Sequence, residues 1–212
     1  MDAKKILIGY IDLTDGLRVT ATKSNVTVEG FIKNAPMANP EDSIEQVAKT
    51  MKSFHTDSAA VVDTTHHMRG VVLLSDLFPV IISRNELHGT VASCMNEKVI
   101  VANPQDELKK IQSLIIESGF SAFPVTQKKR LIGIISRRDL ISAKRVRSAI
   151  GQHAHSTIED VMTREVVTIA PDEPVRYAAE LLVKHNVSRL PVLERENLIG
   201  IVDRHDILAA LA

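Results

Sequence analysis

The 212-residue sequence has no tryptophan, two tyrosines, five phenylalanines and one cysteine, Cys94. A lone cysteine excludes an intrachain disulfide, a CxxC redox pair and a cysteine-based zinc knuckle, and it fits a reducing compartment. With aromatics scarce, a core must be built from Ile, Leu, Val, Ala and Met, and the length allows one large domain or two small ones. Neither sign of charge is in excess, with 26 Lys and Arg against 26 Asp and Glu. Net charge therefore gives no general pull toward nucleic acid or an acidic membrane. No apolar run approaches the roughly 20 residues that span a bilayer. The opening MDAKKILIGY also lacks the apolar stretch and cleavage site of a signal peptide. The expectation is a cytoplasmic protein with no membrane partner.

What the chain does have is a repeat. ILIGYIDLTD, MRGVVLLSD, RLIGIISRRD and NLIGIVDRHD each carry a glycine followed six positions later by an aspartate: Gly9/Asp15, Gly70/Asp76, Gly133/Asp139 and Gly200/Asp206. Upstream of the last three, Pro40, Pro104 and Pro171 each precede, by twenty residues, Ala60, Pro124 and Pro191 in DSAAVVD, FSAFPVT and SRLPVLE. Two blocks at matched spacing define a repeated structural unit.

Periodicity gives that unit its elements. Leu108, Ile111 and Ile115 recur at helical spacing after Pro104, as do Ile44, Val47, Ala48 and Met51 after Pro40, and Val175, Ala178, Ala179 and Leu182 after Pro171. Each amphipathic helix is followed by a β-prone stretch, a turn such as TQKKR or ERE, a strand carrying the glycine, and the aspartate opening another helix. The fold class is α/β, in strand-helix-strand-strand-helix units. One unit cannot bury its own sheet, so units must pack in pairs. The stretch KRVRSAIGQHAHS between Asp139 and Thr157 reads as a surface connection.

These features resemble the cystathionine β-synthase (CBS) domain, over nearly the whole chain. VMTREVVTIAPDEPV, NVSRLPVLE and LIGIVDRHDIL match the family throughout, and CMNEKVIVANPQDEL, GFSAFPV and LIGIISRRDLI match equally well. The Pro40 repeat is more distant, with Ala60 and Val61 in place of Pro-Val and the longer insert DTTHHMR. The division is 1–22 for the end of an incomplete first motif, then 23–86, 87–147 and 148–212 for three complete ones. The resemblance extends to archaeal four-motif CBS proteins and the γ subunit of AMP-activated kinase. It implies a non-enzymatic regulatory protein that binds AMP, ADP or ATP between paired motifs, needs no catalytic cofactor or metal, and signals to a second copy or an effector protein.

The residues give that expectation a chemistry. One carboxylate accepts bonds from both hydroxyls of a ribose, each worth about 1.5 to 3 kcal/mol. The glycine lets a backbone or ligand come close, and the free N–H groups opening a helix favour phosphate. By resemblance the pattern is glycine, two apolar residues, Ser or Thr, two residues, aspartate. Only Gly133, Ile134, Ile135, Ser136, Arg137, Arg138 and Asp139 complete it; Asp12, Leu73 and Asp203 occupy the hydroxyl position elsewhere. The resemblance adds Ser121, Ala122, Pro124, Ser188 and Pro191 beside the base, Ile100 and Val167 from the first strands on the adenine, and His205 beside Asp206. Arg189 is expected to reach across the motif interface toward phosphate, with Ala122 offering nothing in return. Asp15, Ser58 and Asp76 are weaker members. Each aspartate also has a purely structural reading as a helix N-cap, and each apolar residue as ordinary core.

Other chemistry has less support. Arg137, Arg138, Lys144, Arg145 and Arg147 form a basic cluster that would serve a nucleic-acid regulator, but no helix-turn-helix, zinc module or stacking surface accompanies it. An S-adenosylmethionine-type ligand is a further alternative. His66 with His67, and His153 with His155, lie in expected turns without a third ligand. Cys94 has no evident base, and neither a phosphate loop nor a G-x-S-x-G elbow occurs. Thr27, Thr90 and Thr157 each open a motif 43 residues before its glycine, whereas only eight residues precede Gly9. The first motif is therefore expected to lack its opening strand and covering helix.

Overall fold

The computed structural model describes residues 6–18, 27–142 and 157–211. The second motif forms the whole expected unit: β1 (Met37–Ala38), α2 (Ile44–Ser53), β2 (Ser58–Val62), β3 (Met68–Leu73) and α3 (Leu74–Arg84). α2 starts where Ser43 Oγ accepts the Gln46 N–H at 3.2 Å, and it buries the periodic residues Val47, Ala48 and Met51. β1 pairs parallel with β2, and β2 antiparallel with β3.

The third motif supplies α4 (Leu108–Ser118), β4 (Ala122–Gln127), β5 (Arg130–Ser136) and α5 (Arg137–Ser142), and the fourth supplies α6 (Val175–Lys184), β6 (Arg189–Glu194), β7 (Asn197–Asp203) and α7 (Arg204–Ala209). Their first strands depart from expectation, because each shrinks to one parallel bridge, Ala102 to Val125 and Ile169 to Val192. Ala102 makes two backbone bonds, to Pro124 and Thr126, before Asn103 turns the chain through its bonds with Asp106. Ile100 and Val167 therefore lie outside any strand.

The four strands of the last two motifs form one sheet in the order β4-β5-β7-β6, with β5 and β7 meeting at Arg130 and Asn197. A stronger link lies beside it. Ile134 exchanges two backbone hydrogen bonds with Thr163, both 2.9 Å, and Ile201 exchanges two with Asn96, at 2.8 and 3.0 Å. Each motif thus lays its opening segment along the other's glycine strand. A Cβ on Gly133 would stand 2.9 Å from the Thr163 carbonyl oxygen and 2.8 Å from Met162 Sδ. This is the close approach for which the repeated glycine is required.

α1 (Leu13–Arg18), which follows the Gly9 segment, packs on α4 and α5, and Gln112 Nε2 donates to the Leu17 carbonyl. α3 packs on α6, with Phe78 and Ile82 joining Ala178, Leu182 and Val202 in one core. The first motif thus sits beside the third and the second beside the fourth. Among the described residues no helix is long and apolar enough to cross a membrane.

Candidate functional site

All four motifs converge on a cavity of about 440 Å³. The first contributes Tyr10 and Asp12, the second His55 to Asp57, the third Ser118 to Ser121 and Arg137, and the fourth Ser188, Arg189 and Asp203 to His205. The placement follows from the repeat. In the third and fourth motifs the residues just before the aspartate and those opening the preceding strand line it together, whereas the second motif contributes only the residues before β2.

Three arginines and a histidine reach that centre. Arg204 is 8% exposed and its guanidinium lies 6.0 Å from the Phe78 ring centroid, while its Nε has no partner among the described residues. Arg189 donates from Nη2 to Ser121 Oγ at 2.7 Å and from Nη1 to the Ala122 carbonyl at 3.4 Å, leaving Nε unpartnered. It does cross the motif interface as expected, but Ala122 is not passive, because its carbonyl accepts one of the bonds. Arg137 Nη1 donates to Thr14 Oγ1 at 3.2 Å. Burial draws both Arg189 and Arg204 down from the usual guanidinium range, and the Asp57 and Asp203 charges oppose it. Unmet buried donors of this kind are costly and are relieved by an anion.

Counter-charges are present as well. His205 Nε2 lies 3.0 Å from Asp57 Oδ1. Burial works to lower the His205 imidazole, but the hydrogen bond and charge of Asp57 outweigh it and hold its pKa above the ordinary value. Asp57 is held below the carboxylate range mainly by that same bond. Asp57, Arg204 and His55 were not singled out in the sequence. Arg204 was legible, since it occupies the repeat position of Arg137; Asp57 stands where Ser121 and Ser188 stand in the later repeats, an acid at a hydroxyl position.

The repeated aspartates close the strand-to-helix junctions. Asp139 accepts Ser136 N–H at 2.8 Å and Ser136 Oγ–H at 2.6 Å, and Asp206 accepts the Asp203 N–H at 2.9 Å while Asp203 accepts the Asp206 N–H at 3.0 Å. Asp15 accepts the Asp12 N–H at 3.0 Å, and Lys33 Nζ lies 2.9 Å from both Asp12 and Asp15. Asp76 has no such arrangement: Leu73 caps nothing, and Asp76 is exposed with Ser75 Oγ at 3.5 Å. The four junctions are not equivalent, in the way the hydroxyl position suggests.

Of the sequence candidates, Ser121, Ser188, Arg189, Arg137 and His205 line the central cavity. Ser136, Asp139 and Asp206 sit at the half-buried junctions, and Ala122 and Ser58 are half-buried at strand starts. Pro124 and Pro191 are buried, Val167 packs against the core, and Ile100 is 42% exposed. Arg138 is exposed; Lys144, Arg145, Arg147, His153 and His155 lie outside the described residues. His67 Nδ1 is 2.7 Å from Thr65 Oγ1, and among the described residues no three metal-ligating side chains come together. Burial raises the half-buried Cys94 thiol, with the Asp206 charge adding to it.

The fourth junction has a pH signature. Burial, then the Asp203 charge, pushes Asp206 up to about 6. Because this lies above the unfolded value, the group's contribution is fully present below about pH 4 and is lost as pH rises through about 6. His205 is raised and Asp57 lowered, so their pair contributes most from about pH 4 to 6.5. The melting temperature is expected to be higher at pH 5.5 than at pH 8. Asp203→Asn, which keeps a capping side chain but removes the charge that raises both Asp206 and His205, should narrow that gap. Calorimetric melting of both proteins across this range provides the check.

The model of the CBS domain matches residues 28–83, 91–145 and 158–212. A Methanococcoides burtonii protein named homoserine O-acetyltransferase is 30% identical over 94% of this chain, which spans only 41% of that protein. In the solved structure of MJ1225 from Methanocaldococcus jannaschii, described as a candidate archaeal homologue of γ-AMPK, the fold is similar with a TM-score of 0.88, 19% identity, and coverage of 100% of this chain and 86% of that one. CBSX2 from Arabidopsis thaliana, solved in complex with AMP, aligns with a TM-score of 0.52 at 25% identity, over 58% of this chain and 96% of its own. The match to MJ1225 by sequence likewise spans 64% of that protein, so this chain covers less than two thirds of both relatives. With three family segments covering most of the sequence and paired motifs in the fold, the chain belongs to the CBS domain family.

Proposed function

We propose that this chain is a non-enzymatic regulatory CBS protein that binds an adenosine nucleotide (AMP, ADP or ATP), with the phosphates in the central cavity, and signals occupancy to a partner protein or a second copy. The observation that carries this reading is the set of buried donors there without partners among the described residues: Arg189 Nε, Arg204 Nε and His205 Nδ1. Three guanidinium groups from two motifs suit a multiply charged phosphate. Asp139 with Ser136, and Asp206, would hold ribose hydroxyls. Ser121, Ala122, Pro124, Ser188, Pro191, Ile100 and Val167 would face the base. The division into an incomplete motif over 1–22 and complete ones over 23–86, 87–147 and 148–212 belongs to the same reading, as does a cytoplasmic setting.

In the first motif, Lys33 engages the carboxylates of Asp12 and Asp15, which supports ribose binding at the aspartates of the later motifs. Calorimetry and thermal shift with AMP, ADP, ATP, adenosine and S-adenosylmethionine test the proposal. Nucleotides should bind more tightly than adenosine and stabilise the fold by about 2.7 kcal/mol at a hundredfold excess over Kd. Tighter binding of S-adenosylmethionine than of any nucleotide, or no heat with nucleotide at millimolar concentration, would overturn it.

A further inference from the structure

In the later motifs an arginine four residues after the glycine recurs with a serine just before the preceding strand: Arg137 with Ser121, and Arg204 with Ser188. All four line the central cavity. In the third motif the backbone sets the placement, because the Arg137 N–H donates to the Ser121 carbonyl at 2.9 Å. The second motif keeps that bond, with the Leu74 N–H donating to the Asp57 carbonyl at 2.8 Å, but it changes both side chains. Leu74 is fully buried in the core, so this motif sends no guanidinium to the cavity, and Asp57 lines it with a carboxylate instead. The two substitutions reverse the sign of what the motif contributes.

That carboxylate meets the cations of the fourth motif. Asp57 Oδ1 lies 3.0 Å from His205 Nε2, and the Arg204 and Arg189 charges act on it as well. His205 in turn feels Asp57 and Lys52 from the second motif and Asp203 from its own. Its Nδ1 is buried with no partner among the described residues, as are the Nε atoms of Arg189 and Arg204. The imidazole is thus satisfied on one side only, and by an internal anion. The Asp57 side chain is 53% exposed and that of His205 20%, so the carboxylate can turn out to water while the imidazole stays in the cavity wall. Carboxylate and phosphate are both anionic acceptors, and they compete for the same cationic donors.

We infer that Asp57 is an internal competitor for phosphate: it holds His205 and offsets Arg204 and Arg189 while the cavity is free, and an entering phosphate displaces it, releasing the second motif from the fourth at this contact. The inference rests on the nucleotide reading and adds to it the regulation of that site. Occupancy becomes a change between motifs through the exchange of one anion for another, a local electrostatic event with a wider readout.

Calorimetric titration of the full chain and of Asp57→Asn with ADP and with adenosine provides the test, at pH 5.5, below the usual imidazole pKa of about 6.5. Asp57→Asn is expected to bind ADP about three- to tenfold more tightly than the parent, the part of a charge-assisted bond that survives screening at a half-exposed carboxylate, and to bind adenosine within about twofold. Near neutral pH the parent trades a carboxylate for a phosphate on an imidazole that is already protonated. In the variant the imidazole has lost the partner that raises its pKa, so binding takes up a proton, and titration in buffers of different ionisation heat should show the larger uptake there. Asp57→Ser, which installs the residue of the later motifs, serves as a second variant should Asp57→Asn fold poorly. Equal or weaker ADP binding by the variants, an equal gain for adenosine, or a lower melting temperature with unchanged affinity would overturn the inference and leave the nucleotide reading in place. Absence of ADP binding by the parent and both variants would instead overturn the nucleotide reading, and this inference with it.

Discussion

Arg189→Ala is expected to weaken binding of ADP or ATP by roughly tenfold to a hundredfold, and binding of adenosine by less than twofold. Arg189 is half-buried, is fixed by Ser121 Oγ and the Ala122 carbonyl of the third motif, and lines the cavity with an unpartnered Nε. Losing a hydrogen bond between charged groups costs about 1.5 to 3 kcal/mol, which corresponds to that range of affinity. Arg189→Lys keeps the charge without the planar fork and should fall between the two. Isothermal titration at two salt concentrations provides the measurement. Equal loss for adenosine and nucleotide would assign Arg189 to interface packing and count against phosphates in the cavity.

Gly133→Ala should destabilise the protein by about 1 to 3 kcal/mol, the usual cost of an extra carbon in a packed site. At this chain length each kcal/mol lowers the melting temperature by about 2 to 4 °C. The added Cβ meets the Thr163 carbonyl, which is backbone and held by two hydrogen bonds, so it cannot step aside. Gly200→Ala should cost less: its tightest contact is Met95 Sδ at 2.6 Å, the end of a flexible side chain, and the Asn96 carbonyl is 3.4 Å away. Urea unfolding of the two variants beside the parent gives the comparison. A larger loss for Gly200→Ala would mean that the Thr163 strand yields more readily than its bonding implies.

The architecture was legible because it is written several times. Pro104 to Leu108 and Pro171 to Val175 mark the starts of the same helix, and Gly133 and Gly200 mark the same strand, so each reading of one repeat checked the other. The first strands were over-read: VIVA and VVTIA have strand composition, but the turn at Asn103 stops pairing after one residue. Site residues were less legible where the signal was a departure from the repeat. Asp57 meets His205 across 148 positions of chain, and no local pattern announces a contact made by packing one pair of motifs on another. Lys33 is a similar case, visible in the sequence only as a surface lysine, yet its ammonium bridges Asp12 and Asp15. Burial tends to lower it, but hydrogen bonds to Asp15 and Asp12 raise its pKa above the ordinary lysine value.

The reciprocal exchange of opening segments between the third and fourth motifs also bears on how the chain comes apart. Thr163 lies on Ile134 and Asn96 on Ile201, so neither of these motifs can open without stripping an edge from the other. The two are therefore expected to open together as a single cooperative unit, which amide hydrogen exchange at Ile134 and Ile201 would show as equal protection. The second motif lends Lys33 to Tyr10 but receives no such strand at Val71 among the described residues. Subglobal opening is therefore expected to begin at the β3 edge, whereas α3, whose Phe78 and Ile82 share a core with the fourth motif, is expected to open only with that motif.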